Sequence, residues 1–95
     1  MEMKTVYIVA WEYYNGGKAD AQSGGGGFDW NFDEALMKAQ FEAEKKNADE
    51  FKSDDWEVVY MEFRTNSTDP ARITTQIDRR LPEMFDAAEI RYKAA

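Results

Sequence analysis

The sequence predicts an α+β domain: a two-layer sandwich with elements in the order β-α-β-α and a short C-terminal strand. Three observations lead there. Two runs rich in aromatic and β-branched residues, at 3–14 and 56–65, flank a long amphipathic stretch at 31–51. A helix of about twenty residues spans roughly 30 Å, and about nine strand residues span the same distance, so one helix can cover both strands end to end. A chain of 95 residues forms one domain and buries only about 60–65% of its unfolded surface. At that size, layers on both faces of a sheet are not expected.

In the first run, Val6, Ile8 and Ala10 share one face, and Tyr7, Val9, Trp11 and Tyr13 share the other. Both faces are apolar, so with a single covering layer the aromatic face is left for a partner, for the seam of a homodimer, or for cover by loops and the C-terminal tail. Residues 15–27 hold all six glycines and read as a flexible Gly-rich loop opened by the turn signal Asn15-Gly16. The stretch 31–51 then reads as a helix. Asn31 caps it, Glu34 stands in the capping-box position, and an inner stripe runs through Phe32, Leu36, Ala39, Ala43, Asn47 and Phe51, with Met37, Phe41 and Ala48 flanking it. Glu34, Lys38, Glu42 and Lys46 form its outer face at i,i+4 spacing. A turn at 53–55 leads to the second strand. This strand is parallel to the first in a βαβ unit, or antiparallel if the Gly-rich segment hides a hairpin. Asp69 and Pro70 start a second helix with a stripe at Ile73, Ile77 and Leu81. Pro82 ends or kinks that helix, or opens a last turn through Phe85. Residues 88–93 alternate weakly and read as an edge strand, or else a frayed helix.

The net charge is −7. Residues 1–62 carry fourteen acids and six bases, whereas 63–95 carry five acids and six bases. Such a surface repels nucleic-acid phosphates and membrane headgroups and suits a basic partner. With no Cys and no His there is no disulfide framework, no thiol chemistry and no ordinary general base near neutrality. The N-terminal residues lack the apolar core of a signal peptide, and no apolar run approaches the roughly 20 residues of a membrane span. The cytoplasm is the expected location.

Few motifs carry chemistry. Gly17-Lys18-Ala19 lacks the Ser or Thr and the earlier glycine of a phosphate-binding loop. No stretch matches a calcium-binding helix-loop-helix, and zinc has no ligand set. The carboxylate pairs Asp29 with Asp33 and Asp54 with Asp55 could in principle serve glycosyl or phosphoryl chemistry. Each also has a structural explanation, at a helix start or a turn. Arg64, Arg72, Arg79 and Arg80 cluster around the second helix, but Asp78 and Glu83 interrupt them.

The expected function is therefore non-enzymatic: a small acidic binding or regulatory module acting through protein–protein contacts, similar in composition to phage and bacterial accessory proteins. The partner is a protein, either basic or with an apolar groove. A second copy in a homodimer is the alternative, and no cofactor, metal, direct nucleic-acid or membrane contact is expected. The candidate interface is Tyr7, Trp11 and Tyr13 with Trp30 and Trp56, because clustered exposed aromatics mark contact surfaces. The candidate acidic surface is Asp29, Asp33, Glu34, Glu42, Asp49, Glu50, Asp54 and Asp55. Two alternatives stand beside this reading: an acidic mimic of nucleic acid that occupies a basic partner, and a carboxylate-dependent enzyme.

Overall fold

The computed structural model describes residues 2–17, 19, 23–51 and 54–94. Expectations at residues 18, 20–22, 52 and 53, including parts of the Gly-rich loop and of the turn at 53–55, lie outside the described residues. The elements are β1 (Lys4–Tyr14), β2 (Gly24–Asn31), α1 (Glu34–Glu50), β3 (Glu57–Thr65), α2 (Pro70–Ala87) and β4 (Ile90–Lys93). The strands form one antiparallel sheet in the order β2-β1-β3-β4. The α+β class and the closing strand are those the sequence predicts.

Pairing is antiparallel because part of the glycine segment is a strand. Tyr14 pairs with Gly24 and Tyr7 with Asn31, so residues 24–27 belong to a hairpin and not to a flexible loop. The turn begins as expected at Asn15-Gly16. Gly17 N–H donates to the Tyr14 carbonyl at 2.9 Å, and Gly16 takes φ +81°, the left-handed value that a type II turn requires at its third position. The glycines that follow are strand residues for steric reasons. A Cβ on Gly25 would stand 2.6 Å from the Tyr13 hydroxyl, and one on Gly26 would stand 2.7 Å from the Trp11 carbonyl. The rings of Tyr13 and Trp11 at Gly25 and Gly27, and the β1 backbone at Gly26, thus occupy the space that side chains on β2 would fill.

The sheet is covered on both faces, which corrects the expectation of a single covering layer with an open aromatic side. Val6, Ile8, Ala10, Val59, Met61 and Phe63 pack against Ile73, Ile77 and Phe85 of α2. Val9, Val58 and Tyr60, on the opposite side, pack against Met37, Phe41 and Ala48 of α1. Two thin layers suffice for 95 residues because each helix buries only a narrow stripe.

That stripe on α1 is not the one read from the sequence. The helix starts at Glu34, with Asp33 as N-cap accepting the Leu36 N–H at 3.1 Å. Asn31 instead accepts the Asp33 N–H from outside the helix. Phe32 and Phe51 therefore flank the helix and do not set its phase. Phe32 packs edge-on to Trp30 at 5.4 Å, and Phe51 stacks on Trp56 at 5.7 Å. Without them the buried positions are Met37, Phe41 and Ala48, and Leu36 is 52% exposed.

On α2 the stripe of Ile73, Ile77 and Leu81 is as read. The helix runs through Pro82 to Ala87, so Pro82 does not end it. Burial of Phe85 in the core offsets the hydrogen bond that the proline removes. Arg91 of β4 secures this last turn. Its guanidinium donates to the carbonyls of Phe85, Asp86 and Ala88 and pairs with Glu57 at 2.9 Å. A cation at a helix C-terminus is favourable.

Candidate functional site

The strand register fixes where the candidate aromatic residues lie. Tyr7, Trp11 and Tyr13 alternate onto the α1 face of β1, and Trp56 stacks on Tyr13 with ring centroids 4.5 Å apart. Phe51 extends this stack from the end of α1. All four candidates on this face are half-buried. They form the margin of the α1 core rather than a bare sheet surface. Trp30 is not brought to them. It faces α2, and its indole N–H donates to the Thr74 hydroxyl at 2.9 Å.

Most of the candidate acidic residues are engaged by the fold. Asp29 accepts from the Gln40 amide at 3.1 Å. Asp33 caps α1. Glu34 accepts from Lys38 at 3.0 Å, and Glu42 from Lys45 at 3.1 Å. Asp49 accepts the Tyr92 hydroxyl proton. Asp54 accepts the Gly16 N–H at 3.1 Å, joining the β1–β2 turn to the approach of β3. Asp55 sits in the left-handed region at φ +48°, a conformation in which Asp is among the better-tolerated residues. Glu50 is exposed at the end of α1. Lys45 also lies over the rings of Phe41 and Tyr92, at 5.2 and 5.5 Å, so its stem covers the margin of the core while its charge stays at the surface.

The electrostatics follow these contacts. The Tyr7 hydroxyl donates to Glu34, which raises the Tyr7 pKa above its ordinary value, and burial adds to the effect. The bonds from Lys38 and Tyr7 hold the Glu34 carboxyl below the usual carboxylate range. Tyr92 is raised first by its bond to Asp49 and then by burial. Tyr60 is raised chiefly by burial. These shifts belong to groups holding strands and helix together. Among the described residues, no group of three or more acidic side chains is arranged to hold a metal ion. No helix among them is long and apolar enough to cross a membrane.

Two surface features were missed in the sequence. One is the exposed flank of α1, where Leu36 and the preceding Phe32 (40% exposed) stand beside the acids Asp33 and Glu34. Assigning both residues to the inner stripe concealed it. The other is the outer side of β2, which pairs with no strand among the described residues. The sequence offers a strand there only through the alternative in which the Gly-rich segment hides a hairpin, and that alternative is the one the fold adopts. Comparison of the chain with protein-family models, with curated proteins and with solved structures finds no match.

Proposed function

We propose that this protein is a small, non-enzymatic binding module that acts through contacts with a basic protein partner. The observation that carries the reading is the surface around the start of α1. Phe32 and Leu36 are large apolar residues left 40% and 52% exposed, and they lie among exposed acids in a chain of net charge −7. Apolar anchors with a charged rim are the usual composition of a protein interface. The half-buried edge of Tyr7, Trp11, Tyr13 and Trp56 is a secondary contact in this reading. An acidic mimic of nucleic acid is less well supported, because Lys38 and Lys45 are paired with Glu34 and Glu42 and break any run of free carboxylates. A carboxylate enzyme has less support too, since Asp29, Asp33 and Asp54 are each engaged in bonds that hold the fold.

Affinity capture from the native host, run in parallel with wild type and Leu36→Glu, tests the proposal. The expected result is a partner retained by wild type, lost by the variant, and released as salt rises, because screening weakens contacts between exposed charges. A hydrolytic activity abolished by Asp29→Asn or Asp54→Asn in a folded protein would overturn it in favour of the enzyme.

A further inference from the structure

The geometry points to the open edge of β2 as a docking site for an extended, basic peptide segment that adds to the sheet as a fifth strand. This rests on the protein-binding reading above and specifies where and how the partner is held. The two edges of the sheet differ in how they are protected. Natural sheets guard an edge with charge, proline, brevity or cover. On the far side, β4 is four residues long and carries Arg91 and Lys93. Beyond Tyr60 it no longer pairs with β3, and there β3 carries Glu62 and Arg64. By contrast, β2 is eight residues long, has no proline, and has Asp29 as its single charge.

The ladder shows which groups are available. Asn15 N–H donates to the Ser23 carbonyl at 2.9 Å, which makes that pair a hydrogen-bonded one. Bonding pairs alternate along an antiparallel ladder, so Gly25, Gly27 and Asp29 bond β1 in turn. Gly24, Gly26, Phe28 and Trp30 then direct their N–H and C=O groups outward. Strand addition uses this kind of row for affinity and adjoining pockets for specificity.

A pocket adjoins it. Between β2 and the C-terminal half of α2 lies a groove of about 470 Å³, bounded by Gly26, Phe28 and Leu81, with Glu12, Asp78 and Asp86 also lining it. Gly26 contributes no side chain, which leaves the groove open to the edge. The charged residues lining it are all acidic. An added strand lays alternate side chains on this face, and Lys or Arg at those positions would meet the three carboxylates. A basic, extended segment is the occupant that satisfies the backbone row and the groove together.

The test uses a nine-residue capped peptide of alternating Lys and Val, a Glu/Val counterpart, and two Lys/Val versions N-methylated at alternate residues in opposite phases. Fluorescence anisotropy reads affinity, and amide hydrogen exchange reads the contact. The Lys/Val peptide is expected to bind at least tenfold more tightly than the Glu/Val peptide and to slow exchange at Gly24, Gly26, Phe28 and Trp30. One N-methyl phase is expected to lose at least tenfold in affinity while the other binds unchanged, since only one set of N–H groups faces the sheet. Asp78→Lys with Asp86→Lys should weaken binding at least tenfold at unaltered melting temperature. Equal loss in both N-methyl phases, or in neither, would overturn strand addition. So would protection of these amides that appears without peptide and grows with protein concentration, because a second copy would then hold the edge. Absence of peptide binding, with Leu36-dependent capture intact, would also overturn it and leave the broader protein-binding reading standing.

Discussion

At the residue scale, three tyrosines are set apart by their surroundings. Tyr7 and Tyr92 donate to carboxylates, and Tyr60 is held among apolar groups. All three have pKa values raised in the folded state. A group whose neutral form is favoured by folding binds its proton longer in the native state than in the unfolded one. Its contribution to stability is complete below the unfolded value near 10 and is lost as pH rises through the folded value. Absorbance titration is therefore expected to show a set of tyrosines ionising above the ordinary range, with unfolding setting in over the same alkaline interval. Tyr92→Phe should remove one component of that titration. Ionisation of every tyrosine at the ordinary value, without loss of structure, would contradict these assignments. Glu34 acts in the opposite sense: its contribution is present above the ordinary carboxylate range and is lost as pH falls through its lowered value. Several of these acids could be read from the sequence as helix-start or turn residues. Their individual partners could not, because Asp49 meets Tyr92, and Asp54 meets Gly16, only through the tertiary fold.

The elements show how a correct type can carry a wrong phase. Composition was enough to place a helix within 31–51. The phase failed because two phenylalanines at its margins looked like the ends of an apolar stripe. Each instead satisfies a neighbouring tryptophan, and neither is inside the helix. Residue pattern alone does not separate a buried ring from one that leaves the helix axis. The consequence can be measured. Met37→Ala should cost about 2–5 kcal/mol, as for other buried large-to-small changes. Leu36→Ala should stay within about 0.5 kcal/mol of wild type, as for surface substitutions. Denaturant melts of the two variants check this, and the reverse order would restore the stripe read from the sequence. The glycine segment failed for a different reason. Strand propensity measures side-chain packing, and glycine has none to offer. The packing is supplied from across the ladder by Trp11 and Tyr13, whose rings lie over Gly27 and Gly25. Tyr7, Trp11 and Tyr13 share the face that strand alternation gives them, and Trp56, just outside β3, joins them by stacking on Tyr13. What alternation could not show was that α1 lies along the same face.

For the whole molecule, the class, the order of every element but β2, and the closing strand were legible, because they depend on runs of residues and their breaks. Coverage of the sheet was not, because it depends on which side each crossover takes. With α1 on one face and α2 on the other, the central pair β1 and β3 supplies the buried core under both helices. That pair joins remote parts of the chain: Lys4 meets Thr65, and Glu12 meets Glu57. Neither helix can bury its stripe before this closure, and the closure has no local contact to draw it together. The folding barrier is therefore expected to lie at β1–β3 pairing, with refolding on the order of milliseconds or slower, as for other chains dominated by distant contacts. Val59→Ala, in the central pair, should slow refolding, whereas Met37→Ala should mainly hasten unfolding. Stopped-flow chevrons of the two variants would measure both rates. A chain covered on both faces is thus committed late and all at once, and until then both of its helices remain without a surface to fold against.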